Sequence, residues 1–375
     1  MRWLIWGIGY LLLIGSVVAQ SATFTHEATG TQYRLETYSP ANFPVGMVFA
    51  PDGRLFYNEK TTGNVRVILP DGTLQNAPVV TLPTDALQER GMLGLALSPD
   101  FENDSMIYVV HTLIGNTRDF PANRLVRFSI DENNIAGDVQ ELWKIPITTG
   151  QLLHNGGNIH FDDEGHLFLS LGDYGDATNA QNINTPQGAI HRFDITDEGI
   201  VPAVGNPFGD DNSLYAYGLR NPFDFTIDPY SDWLFAAEVG ANCDDEIDVI
   251  QAGMNYGWSD SYDCVGTDDL PTVDDYVPPM LSFTPAITPT GIVVYEGAAF
   301  PEWQGNLIFC DWNFGTMRRV VLNDTRTQAL EVHEIDLGTN MCRIDLVIGL
   351  EGALYFGTVD GEGGRIVRLL PENDQ

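Results

Sequence analysis

Positive charge is what this sequence has least of. Lys60 and Lys144 are its only lysines, and 18 Lys and Arg stand against 52 Asp and Glu, a formal net charge of −34. Such a balance makes the surface a broad negative field that repels phosphate backbones, which argues against nucleic acid as a partner. The same field suits a bound divalent cation or plain solubility, and composition does not choose between them. Long apolar runs are scarce as well. The one that occurs runs from Trp3 to Gly15 behind Arg2 and is followed by "SVVAQSA", whose Val17-Val18-Ala19 has the small-residue pattern of a secretory cleavage site. Residues 1–19 are therefore expected to be a signal peptide and 20–375 one exported domain, secreted or periplasmic and without a membrane partner after cleavage; an uncleaved anchor is the alternative. Cysteine is sparse, with four residues at no zinc-finger spacing. Export allows them to pair. Cys243 and Cys264 bracket one Gly/Asp-rich segment and form the first expected disulfide, which leaves Cys310 with Cys342.

Glycine and proline are plentiful, 38 and 21 residues, and they fall in a repeating pattern. An apolar run, a Gly/Asp/Pro turn and a second apolar run recur as "GMVFAPDGRLFYNE" from Gly46, "GLALSPDFENDSMIYVVHT" from Gly94, "GNIHFDDEGHLFLSLGD" from Gly157, "PFDFTIDPYSDWLFAAEVG" from Pro222, "GIVVYEGAAFPEWQGNLIFCD" from Gly291 and "DLVIGLEGALYFGT" from Asp345. A third strand follows: "GNVRVIL", "NRLVRFSI", "GAIHRFDI", "GTMRRVVL" and "GRIVRLL", with "DEIDVIQAG" in the fourth unit. A small sheet of this kind cannot bury both faces alone, whereas six arranged radially can. The predicted fold is all-β, a six-bladed β-propeller, with a strand near residues 33–39 completing the last blade.

In an antiparallel hairpin, the residue before the first strand and the residue after the second lie at the same end, opposite the turn. His154 and Asp173 therefore share one face of the propeller. Glu89, Arg90, Arg220, Asn221, residues 238–246, Asp311, Asn313 and Arg343 join them by the same rule, at the channel mouth where propellers bind ligands. His154, among glycines in "HNGG", is of the residue type best suited to a general base near neutrality, and equally fits a solvated loop. Asp173 could orient the imidazole or bind sugar hydroxyls, or simply form a turn. Arg220 beside Asn221 suits a carboxylate or a quinone oxygen, or ties down loop carbonyls. "NCDDE" lacks the ligand order of an EF-hand, and "GMNYGW" reads as a packing turn.

Taken together, "ERGMLGLALSPDF", "HNGGNIHF", "LSLGDYGD", "GLRNPFDF", "EVGANCDDEIDVI" and "GMNYGW" resemble the soluble glucose/sorbosone dehydrogenase family over about residues 40–370. That family includes aldose sugar dehydrogenases that use pyrroloquinoline quinone (PQQ). The resemblance implies a six-bladed propeller that oxidises aldoses to lactones and passes electrons to an external acceptor. It implies His154 as the base on the anomeric hydroxyl, Asp173 beside it, Arg220 and Asn221 against PQQ, and Glu89 near the sugar or cofactor. Arg220 would stabilise charge developing on the quinone oxygen. It further implies Ca²⁺ on the carbonyls of Gly240 and Ala241, bridging to PQQ. The pattern departs at three places: Asn313 stands where the soluble glucose dehydrogenases carry a lysine, and Cys342 and Ile344 where they carry arginines. Arg343, shifted in register, is what remains of that cationic clamp. Two other readings stay open, a non-catalytic binding propeller of the same family and a calcium-dependent sugar lactonase.

Overall fold

Each of the six sequence repeats folds as a hairpin that continues into a third and a fourth antiparallel strand. The computed structural model describes residues 22–25, 32–115, 121–147, 151–260, 275–338, 341–360 and 363–372, so the expected signal peptide lies outside the described residues. Blade 1 is built from Pro44–Phe49, Leu55–Glu59, Asn64–Ile68 and Val80–Thr81, and blade 2 from Met92–Leu97, Met106–Leu113, Ala122–Ser129 and Gln140–Pro146. Blade 3 has Ile159–Phe161, Leu167–Leu171, Ala189–Ile195 and Ile200–Pro202, with Leu214–Tyr217 added to its third strand. Blade 4 has Pro222–Ile227, Leu234–Glu238, Asp245–Ile250 and Leu281–Phe283; blade 5 has Pro289–Val294, Leu307–Asp311, Met317–Leu322 and Ala329–Ile335. Blade 6 starts with Leu346–Ile348, Leu354–Asp360 and Gly363–Pro371 and takes its fourth strand, Gln32–Ala41, and a short fifth, Ala22–Thr25, from the other end of the chain. Gln32–Ala41 pairs there with the C-terminal strand, Tyr33 opposite Pro371 and Ala41 opposite Gly364. The expected closing strand is thus in place.

The first strands of successive blades touch in order, and the sixth returns to the first, which makes a closed ring. Six separate apolar clusters fill the six gaps between neighbouring blades. Because a blade is covered on both faces, its second strand has no solvent side. Leu55–Glu59, Leu167–Leu171, Leu234–Glu238 and Leu307–Asp311 are buried at every position, which is why they read as continuous rather than alternating apolar runs. Near the axis, polar side chains join one blade to the next. Asn58 of blade 1 accepts from the Gly46 amide at 2.9 Å and donates to the Leu93 carbonyl of blade 2 at 2.9 Å. Asp224 of blade 4 accepts from the Ile292 amide of blade 5 at 3.0 Å, and Asp345, just ahead of blade 6, accepts from the Met47 amide of blade 1 at 2.5 Å.

The mouth loops share a local device. Phe43, Gln88, His154 and Thr288, each shortly before a first strand, take the left-handed backbone region at φ between 52° and 57°. Side chains other than Gly, Asn and Asp enter it at a steric cost, so the ring of blades holds these corners in shape. One consequence is direct: the Phe43 carbonyl accepts the Lys60 amide at 3.0 Å and the Thr288 carbonyl the Trp312 amide at 2.8 Å, tying the exit of each hairpin to its entrance.

Candidate active site

His154 and Asp173 meet as the hairpin rule requires. The imidazole Nδ1 lies 2.6 Å from Asp173 Oδ1, and the histidine is buried except for an edge. Asp173 Oδ1 also accepts the Gly175 amide at 2.7 Å, and its Oδ2 accepts the indole N–H of Trp258 at 2.8 Å. A carboxylate that serves two donors besides the imidazole is an acceptor toward all three. This places the histidine proton on Nδ1 and leaves Nε2, which bonds no described residue, as the basic nitrogen. The His154 amide donates to Glu89 Oε2 at 2.5 Å, so Glu89 holds the backbone of the base rather than its ring. Gly172 keeps this corner tight, since a Cβ there would lie 2.1 Å from the His154 carbonyl oxygen and 3.0 Å from that of Arg220.

Blade 4 supplies the adjoining wall. The amides of Arg220 and Asn221 both donate to Glu238 Oε1, at 2.6 and 2.9 Å, and Asn221 Oδ1 accepts the Gly156 amide at 3.1 Å. The Arg220 guanidinium lies 5.4 Å from the Trp258 ring centroid and donates through Nη1 to the Val239 carbonyl at 2.9 Å. Its Nε is buried with no protein partner among the described residues. Arg220 thus does tie down a loop carbonyl and still has a donor to offer. Gly240 sits in a turn so close that a Cβ would come within 2.4 Å of the Cys243 and Asp244 carbonyl oxygens; its amide donates to Asp245 Oδ1 at 2.8 Å. Among the described residues no three His, Cys, Asp or Glu side chains cluster to hold a metal, so a cation at this turn would draw on backbone carbonyls.

Behind Glu238 the strand interior is acidic. Asp248 is fully buried and neither of its oxygens has a partner among the described residues. Burial pushes its carboxyl up to about 8, and the charge of Asp248 adds to the burial that raises Glu238 and Glu246. A folded-state pKa above the unfolded one contributes stability that is complete near pH 4 and lost as pH rises toward 8, at about 1.4 kcal/mol per pH unit. Asp248→Asn removes that group's share of the slope, while the buried Glu238 and Glu246 keep theirs. The variant is expected to resist urea better than the unmutated protein at pH 8, by several kcal/mol, and to differ little at pH 4.5; equal stability at pH 8 would refute the assignment.

The wall opposite blade 3 carries the second expected disulfide. Cys310 and Cys342 are disulfide-bonded, with Cα atoms 5.1 Å apart, and both are buried. Cys243 is also disulfide-bonded, and its expected partner Cys264 lies outside the described residues. Asn313 donates through Nδ2 to the Ala286 carbonyl at 3.0 Å, and Arg343 donates to the Trp312 carbonyl. Both side chains therefore fasten the loop between the second and third strands of blade 5. Asp311, placed at the mouth from sequence, is fully buried and paired with Arg318. Arg90 pairs with Asp85 at 3.0 Å. Trp258 belongs to a segment that reads as a packing turn and Trp312 to one with no sequence signal of its own, although each stands beside functional candidates, in "GMNYGW" and "CDWNF".

The glucose/sorbosone dehydrogenase family model matches residues 41–368. The chain belongs to the glucose/sorbosone dehydrogenase family. A Synechocystis protein of uncharacterised activity is 30% identical over 355 residues, covering 87% of this chain and 83% of its own. The aldose sugar dehydrogenase of Escherichia coli is 27% identical over 349 residues, 88% of this chain and 90% of its own. Among solved structures, the PQQ-bound aldose sugar dehydrogenase of Streptomyces coelicolor superposes with a TM-score of 0.74 at 24% identity, over 95% of this chain and 99% of that one. In this glucose/sorbosone dehydrogenase relative, the propeller and its closing strand agree with the fold expected of the family. No helix among the described residues is long and apolar enough to cross a membrane.

Proposed function

We propose that this protein oxidises aldoses at the anomeric carbon to lactones, with PQQ as hydride acceptor and Ca²⁺ beside it, and hands the electrons to an external acceptor. The observation that carries the reading is the His154–Asp173 pair with Nε2 left open, next to the buried and unpartnered Nε of Arg220, in a member of a sugar dehydrogenase family. PQQ, when bound, supplies a carbonyl carbon that accepts hydride from sugar C1. His154 Nε2 removes the proton of the anomeric hydroxyl, and Asp173 stabilises the imidazolium that results. Arg220, which uses one of its five N–H donors on the Val239 carbonyl and has a low-dielectric surrounding, stabilises negative charge that develops on the acceptor's oxygen; Asn221 and the Gly240 and Ala241 carbonyls complete that side. Asn313 brings no charge to a cationic clamp, and Arg343 uses one of its five N–H donors on the Trp312 carbonyl. The Cys310–Cys342 disulfide supports an oxidising compartment, secreted or periplasmic.

The test is calorimetric titration of PQQ into calcium-loaded protein, followed by reduction of an artificial acceptor with a panel of aldoses. Arg220→Ala is expected to weaken PQQ binding about tenfold or more, the loss of a charged hydrogen bond. An unmutated protein that reduces no acceptor with any aldose would overturn the proposal.

A further inference from the structure

We propose that the exposed face of Trp312 is the stacking wall for the sugar, binding the C–H face of a neutral aldopyranose across the mouth from His154; this rests on the sugar-oxidising reading above. Trp312 follows the second strand of blade 5 and Phe43 precedes the first strand of blade 1, so blade 6 stands between them. Their rings nevertheless stack, with centroids 5.8 Å apart and planes at 18°. They therefore meet across the mouth end of blade 6, by Arg343. In a ring of six blades, blade 6 stands opposite blade 3, which carries His154.

The pair is held far more firmly than an incidental surface contact. The Trp312 amide donates to the Thr288 carbonyl at 2.8 Å and the Asn313 amide to the Ile287 carbonyl at 3.1 Å, while Arg343 donates to the Trp312 carbonyl. Lys60 Nζ lies 5.5 Å from the Phe43 ring and is fixed on the Gln88 and Arg90 carbonyls at 2.6 and 2.8 Å. Yet Trp312 is 39% exposed, and Phe314 and Leu153 at the same end are exposed as well. A large ring with its backbone fixed, one face stacked on Phe43 and the rest left in water presents a flat apolar surface to a ligand with few rotamers left to lose. A pyranose offers a matching face of axial C–H groups. The net charge of −34 leaves a neutral polyol unhindered and repels a sugar phosphate.

The test uses the full protein loaded with PQQ and Ca²⁺, with D-glucose and glucose 6-phosphate as probes. Trp312→Ala is expected to raise KM for glucose about tenfold with kcat within about twofold, the signature of lost uniform binding, and Trp312→Phe to recover most of it. A second readout, saturation-transfer NMR of glucose on the same proteins, needs no turnover. It is expected to show contact with the unmutated protein and Trp312→Phe, little with Trp312→Ala, and none with the phosphate. Absent turnover but glucose contact that Trp312→Ala abolishes would sink the oxidation reading and leave the stacking wall standing. An unchanged KM or unchanged NMR contact in Trp312→Ala, or no glucose contact with the unmutated protein, would overturn the wall itself.

Discussion

Replacing His154 by alanine is expected to lower kcat for aldose oxidation by about 10²- to 10⁴-fold, the range a positioned base contributes. The physical reason is the donor count at Asp173. With the Gly175 amide and the Trp258 indole already donating to it, the carboxylate accepts from Nδ1 and leaves Nε2 basic. Asp173→Asn replaces one acceptor oxygen with an NH₂ group and should cost about tenfold or more, with its loss in kcat rather than KM. Backbone strain is separable from chemistry here, because His154 has φ of 55°. Asparagine tolerates that region, so His154→Asn keeps the corner and still removes the base. Both histidine variants should be equally inactive and near-normal in thermal midpoint, measured by circular dichroism. Retention of kcat within about fivefold in either one would remove His154 from the reaction.

The second large effect is on stability. Cys310 and Cys342 are 32 residues apart in sequence, and closing a loop of that length in the unfolded chain is worth about 3–4 kcal/mol in the chain-entropy account. The double variant Cys310→Ser, Cys342→Ser should lose about that much in urea unfolding, with a midpoint lower by roughly 5 °C for a chain of this size. The bond also bears on the site. The Cys342 amide donates to the Gly315 carbonyl at 3.0 Å and Arg343 next to it holds the Trp312 carbonyl, so loosening this corner should raise sugar KM more than it lowers kcat. Unchanged urea unfolding in the double variant would show that the bond constrains nothing the folded ring does not already fix.

Several elements were readable because they depend on residues near each other in the chain. Six apolar pairs about Gly/Asp turns specify six hairpins, and hairpin topology alone brings His154 to Asp173, 2.6 Å apart. The strand expected near residues 33–39 runs from Gln32 to Ala41 and fills the open edge of the last blade. Asp311 stands at the mouth end of its strand as the same rule requires, but strand-end position does not give the direction of the side chain, which is buried on Arg318 of the adjacent strand and on the Phe314 and Gly315 amides.

What the sequence determined by itself is the repeat: strand pairing follows from period and turn chemistry, both local, and with it the blade count and the face that carries polar chemistry. What only the tertiary structure decided lies between blades. Trp258 reaches Asp173 from blade 4, Trp312 stacks on Phe43 past an intervening blade, and the clamp position holds a buried disulfide with Asn313 and Arg343 fastening its loop. Those contacts depend on how six twisted sheets close around one axis, a global constraint that brings together residues with no shared period.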